Sequence, residues 1–101
     1  MNWAYCPISD LFTFLGKKWM IIIIKTLWEE DAQSFTQLQK RLDNINSRIL
    51  TERLDEGVEK WYIIRDVTST KPLKIRYSLT SQGKQLSTKI CELASFAKEN
   101  L

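Results

Sequence analysis

Five polar residues within one short stretch, Asn46, Ser47, Arg48, Thr51 and Glu52, are those of this chain best suited to reading another polymer. A guanidinium such as that of Arg48 can bond guanine O6 and N7 together, and a carboxylate such as Glu52 can accept from cytosine N4–H. If the segment is a helix turning about 100° per residue with Leu50, Leu54 and Val58 inward, Arg48 and Glu52 point outward, with Ser47, Thr51 and Asp55 on the flanks. An arginine in the first turn is where a groove-inserted helix meets base edges. Asp55, Glu56 and Glu59 would be repelled by phosphates, which limits insertion to roughly the first two turns. The i,i+4 spacing of Arg48 and Glu52 equally suits an ion pair on a solvated surface, and this helix alone does not choose between the two.

A second group, Lys71, Lys74 and Arg76, lies on or beside an expected hairpin tip, with Lys60 and Arg65 nearby and only Asp66 opposing them. Lys74 and Arg76 share one strand face, opposite Ile75 and Tyr77. Clustered cations on one face suit phosphate contacts. Lysine on an exposed strand also guards against edge pairing, which accounts for one basic residue more readily than for three. Thr36, Gln37 and Lys40, with Lys17 and Lys18, could add backbone contacts, although a solvated surface is the simpler account of them.

The rest of the composition narrows the classes. The chain has 101 residues, a net charge of +3, two cysteines and no histidine. Cys6 and Cys91 cannot build a four-ligand zinc site, and acid-base catalysis would have to do without imidazole. No enzyme activity and no cofactor is therefore expected. Glu29, Glu30 and Asp31 form an acidic knot away from the basic cluster, an asymmetry that suits a polyanion on one face. The start of the chain does not read as a signal peptide. The apolar run from Trp19 to Ile24 is far shorter than the roughly 20 residues of a membrane span. No membrane partner is expected, and the location expected is cytoplasmic, with reduced thiols.

These residues need elements to position them. Pro7 suits the first turn of a helix over residues 6–15, stopped by Gly16. A second helix is expected over 17–28, since Trp19, Ile23 and Leu27, and Ile24 and Trp28, recur at i,i+4. Ser34 with Gln37 three residues later is a capping-box pattern, opening a third helix that runs out near Asp43–Asn44. Asn46 or Ser47 opens a fourth helix carrying Leu50, Leu54, Val58 and Trp61 at core spacing. Residues 62–67 and 73–79 read as strands joined by a loop over 68–72. Thr80 or Ser81 caps a last helix whose Leu86, Ile90, Leu93 and Ala97 form a heptad-like seam for another helix. The order predicts an α+β fold of one domain over residues 1–101: a winged helix-turn-helix with a two-stranded wing.

Five blocks resemble the HxlR family of bacterial winged helix-turn-helix regulators, relatives of the MarR type. They are Cys6-Pro7-Ile8, Leu15-Gly16-Lys17-Lys18-Trp19, Phe35-Thr36-Gln37-Leu38, Arg48 through Leu54, and Tyr77-Ser78-Leu79-Thr80 with Gly83 and Leu86. The resemblance implies a homodimer joined through its first and last helices, with two recognition helices reading a palindromic operator in double-stranded DNA. It places the recognition helix at about 46–60 and the wing at about 62–79. It also puts Cys6 where several members carry a cysteine that senses oxidants, electrophiles or quinones. A thiol just ahead of a helix start is favoured as thiolate, although a cysteine there can also do no sensing. Cys91 reads as a packing residue. The chain departs from the family pattern at Asn46-Ser47, at Gly57 in place of a leucine, and at Trp61 in place of a helix-ending glycine, which predicts a shortened or shifted end to the recognition helix. A winged-helix module that binds protein instead of DNA is the alternative reading.

Overall fold

The computed structural model describes residues 7–101, so Cys6 and Trp3 lie outside the described residues. Five helices and one hairpin follow in order: α1 (Pro7–Leu15), α2 (Met20–Glu29), α3 (Phe35–Arg41), α4 (Ser47–Glu59), β1 (Ile63–Thr70), β2 (Leu73–Leu79) and α5 (Ser81–Glu99). This is the expected α+β winged helix-turn-helix. The four isoleucines are helical. Met20, Ile23, Ile24 and Leu27 are buried, while Ile21 and Ile22 face outward at 42% and 50% exposure, as a 3.6-residue period requires.

Two boundaries differ from the sequence expectation. The second helix begins at Met20, not at position 17, because Trp19 adopts a left-handed backbone at φ 77°. Trp28, expected inward, is 44% exposed. In the hairpin, β1 continues through Thr68–Thr70, leaving a tight turn at Lys71–Pro72 in place of a five-residue loop. The ladder runs from Ile63 opposite Leu79 to Thr70 opposite Leu73, with a bulge between Val67 and Ser69. That extra residue absorbs the register slip. On its far edge β2 is met by Gln33, which exchanges two backbone bonds with Tyr77 at 2.9 and 2.7 Å.

The core lies where α2, α3, α4 and α5 converge on the base of the hairpin, and includes Ile23, Leu38, Leu50, Leu54, Ile63 and Ile90. Phe14 and Tyr62 stack there with ring centroids 5.0 Å apart. The expected end of α4 needs correction. Trp61 is not a core residue; it is 75% exposed. The helix neither shortens nor shifts, because it closes at Glu59 with Tyr62 N–H bonded to Gly57 O (3.0 Å) and Trp61 N–H to Val58 O (3.1 Å). That pairing is a Schellman closure, which needs a left-handed residue; Trp61 supplies it at φ 67° where glycine is usual. Gly57 is buried, and a β-carbon there would overlap the Ile63 side chain, so the space a larger residue would take is filled from β1.

The seam of α5 also divides. Leu86 and Ile90 pack onto the chain's own core, whereas Leu93, at 66%, and Ala97 stand exposed, as does Phe96 outside the seam at 64%. Gly83 lets the start of α5 approach the Tyr62 carbonyl too closely for any β-carbon. Among the described residues, no helix is long and apolar enough to cross a membrane.

Candidate nucleic-acid interface

The turn between α3 and α4 is held by its own chemistry. Asp43 and Asn44 both take left-handed backbone, at φ 56° and 57°, which their short polar side chains tolerate. Ile45 is buried at 4% exposure and anchors the turn to the core. Gln39 then clamps it: its Nε2 donates to Ile45 O at 3.0 Å and to Ser47 Oγ at 2.8 Å. Asn46 caps α4, its Oδ1 accepting from the N–H groups of Arg48 and Ile49 at 2.8 and 3.3 Å. Thr51 Oγ1 donates to Ser47 O at 2.8 Å. At Asn46 and Ser47 the bonds described occupy acceptor oxygens, leaving the Asn46 amide hydrogens and the Ser47 hydroxyl hydrogen available. An acceptor-rich polyanion needs such donors.

Arg48 and Glu52 do pair, Nε to Oε1 at 3.2 Å, with side chains 86% and 51% exposed. The surface ion pair weighed from sequence is thus present in the free protein. Exposed pairs of this kind contribute about 0.3–0.5 kcal/mol, which is too little to hold Arg48 against a better partner. The acids farther along α4 are partly compensated. Glu56 meets Lys17 Nζ at 2.8 Å and an Arg53 guanidinium nitrogen at 3.6 Å, and Arg53 Nε donates to Lys18 O at 3.0 Å. Lys17 is therefore engaged in fastening α4 to the turn before α2.

On α3 the expected capping box is present. Gln37 N–H bonds Ser34 Oγ at 3.2 Å, and Ser34 N–H bonds Gln37 Oε1 at 2.9 Å. Thr36 and Lys40 are exposed. In the hairpin, Lys71 at the tip and Lys74 on β2 are exposed, but Arg76 is half-buried. Its Nη1 donates to Gln37 Oε1 at 3.1 Å and to Ala32 O at 3.3 Å. A cleft lined by Ser34, Phe35, Thr36, Leu73 and Lys74 separates α3 from the wing beside this contact. The structure thus brings Thr36, Gln37 and Arg76 together on one side, and Asn46 through Glu52 together on α4.

Three residues that position the site carried no readable signal. Gln39 and Gln33 act through buried or half-buried amides; Gln33 Nε2 donates to Thr26 O and Glu30 O at 2.9 and 2.7 Å, closing the end of α2. Arg53 shows only its charge in sequence, and its bond to Lys18 O spans distant segments.

The family model for HxlR-like helix-turn-helix proteins matches residues 14–101. YvaP of Bacillus subtilis, named an uncharacterized HTH-type transcriptional regulator, is 35% identical over 95 residues, covering 93% of this chain and 87% of its own length. YodB of the same organism, an HTH-type transcriptional regulator, is 30% identical over 100 residues, covering 98% and 88%. The reduced form of YodB superposes with a TM-score of 0.81 at 29% identity over 93% of this chain and 92% of that one. The redox regulator HypR in its oxidized form gives 0.82 at 25% identity, covering 95% and 98%.

Proposed function

Because the chain belongs to the HxlR-like helix-turn-helix family, we propose that it is a homodimeric DNA-binding transcriptional regulator, with the start of α4 in the major groove and the hairpin on the neighbouring backbone. The observation that carries this reading is Arg48, 86% exposed in the first turn of α4 on a turn clamped by Gln39. A bidentate arginine–guanine contact discriminates by about 1–3 kcal/mol, more than the pair with Glu52 contributes. Asn46, Ser47 and Thr51 support Arg48 at base edges or phosphates, and Glu52, once released, can accept from a cytosine. Thr36, Gln37, Lys71 and Lys74 face the backbone.

The dimer rests on apolar surface left outside the fold at both ends of the chain. Ile8 on α1 is 49% exposed, and Leu93 and Phe96 on α5 are more so. A twofold axis through these helices presents two reading heads to a palindromic operator whose half-sites lie a whole number of helical turns apart. Cys6, just ahead of α1, is the proposed thiol switch. Its support is kinship with YodB and with HypR, the latter a redox regulator solved in its oxidized form.

Fluorescence anisotropy with duplexes from the region upstream of the chain's own gene, against scrambled duplex, tests the reading. Site-selective affinity that falls steeply with salt supports it, the slope counting neutralised phosphates. Weak, equal binding to both duplexes, lost by physiological salt, would move the weight to a module that binds protein.

A further inference from the structure

Arg76 differs from the other cations of the wing. Lys71 and Lys74 are exposed, whereas Arg76 is half-buried and makes two bonds from one nitrogen, to Gln37 Oε1 and Ala32 O. Gln37 Oε1 is at the same time the acceptor for Ser34 N–H in the capping box. Ala32 sits at φ 55°, a conformation costly to any residue with a β-carbon, and its carbonyl is the one that Arg76 bonds. One residue along, Gln33 exchanges backbone bonds with Tyr77, the neighbour of Arg76 in β2. The start of α3 and the middle of β2 are therefore joined by one short network of side-chain and backbone bonds.

Resting on the DNA-binding reading above, we propose that Arg76 is a positioning residue that latches the wing to the start of α3 and sets the spacing between their phosphate contacts, instead of neutralising a phosphate itself. Thr36 and Lys40 stand on one side of the latch, and Lys71 and Lys74 on the other. Phosphates along a duplex are fixed in spacing, so two rows of contacts serve only if their separation is held. A guanidinium suits this role because it is a planar donor that can be shared between two acceptors, and a lysine ammonium on a different stem does not reproduce its geometry.

The test uses the tightest-binding upstream duplex, titrated by anisotropy at several salt concentrations. The proteins are the wild type, Arg76→Lys, Arg76→Gln, Gln37→Leu and the Arg76→Gln/Gln37→Leu double variant, each checked first by near-ultraviolet circular dichroism. The latch predicts about tenfold weaker binding in all three single variants, as when a released wing holds its docked position about a tenth of the time. The slope of log affinity against log salt stays as in the wild type, and the double variant is no weaker than either single one. A direct phosphate contact predicts the opposite: Arg76→Lys binds like the wild type, and Arg76→Gln loses about 0.9 of slope per protomer. That outcome, or wild-type affinity in Gln37→Leu, overturns the latch. If Arg76→Gln fails to fold, Arg76→Lys decides: about tenfold weaker binding at an unchanged salt slope supports the latch, and wild-type affinity overturns it. Wild-type protein that binds no duplex at any salt refutes the regulator reading itself, and the latch with it.

Discussion

Replacing Gly83 by alanine adds one methyl group where the backbone of Tyr62 approaches more closely than any neighbour does at the other two glycines. A β-carbon there overlaps the Tyr62 carbonyl oxygen and lies 3.1 Å from its carbon and 3.2 Å from Leu79 Cδ2. The carbonyl cannot step aside without loss, since Thr80 N–H bonds it at 3.1 Å and Thr80 Oγ1 bonds the adjacent Trp61 O at 2.6 Å. Overpacking of this kind costs about 1–3 kcal/mol. Disturbing the two Thr80 bonds adds about 1 kcal/mol each, and the better helix propensity of alanine returns about 1 kcal/mol. The expected net destabilisation is about 2–4 kcal/mol, or about 10–30 °C in Tm for a domain of this size. Gly57→Ala is the control. Its obstacle is the Ile63 side chain, with Cγ1 at 2.8 Å, which can rotate where a backbone carbonyl cannot, so its net cost is smaller, about 0–2 kcal/mol. Urea denaturation followed by circular dichroism, at one fixed protein concentration because the proposed dimerisation would shift midpoints, measures both. A Gly83→Ala midpoint at or above that of Gly57→Ala would refute the reasoning.

Arg48→Ala should weaken binding to the selective duplex by about 1–3 kcal/mol while moving the urea midpoint by less than about 0.5 kcal/mol; loss of stability in place of selectivity would show that Arg48 is structural. Phe96→Asp, at an exposed position on α5, should turn the proposed dimer into monomers in sedimentation equilibrium while leaving the far-ultraviolet spectrum intact, and an unchanged mass would place the interface elsewhere. Cys6→Ser should abolish any change in DNA affinity on treatment with diamide or quinone. A full response in that variant would remove Cys6 as the switch.

Much of this fold was legible because it is written in local periodicity. Ile23, Ile24 and Leu27 mark the buried stripe of α2, and Ser34 with Gln37 announces the start of α3 by a capping interaction completed within four residues. Asn46 marks the start of α4 in the same way. What was not legible depends on where the chain turns or on distant partners. Trp61 continues the spacing of Leu54 and Val58, yet the backbone has already gone left-handed there, so the helical register no longer applies. Leu86 and Ile90 look identical in pattern to Leu93, and only the three-dimensional limit of the core separates them. Arg76 and Gln37 are 39 residues apart, so a residue that reads as one more wing cation could not be seen to hold α3. The spacing of Arg48 and Glu52 fits both the exposed pair and a groove contact, so it marks the two residues without choosing between those roles.

The hairpin leaves the body at Tyr62 and returns at Thr80, and the bonds from Thr80 to Trp61 and Tyr62 join these two points directly. Beyond Arg76, which is tied to the start of α3, the length of the arm is uncoupled from the elements beneath it. Residues inserted in pairs beside the Lys71–Pro72 turn would lengthen the arm by about 3.3 Å for each residue added per strand, without changing the packing of α2 against α5 below. Reach along the duplex is thus a quantity that insertion and deletion can tune separately from what the reading head recognises.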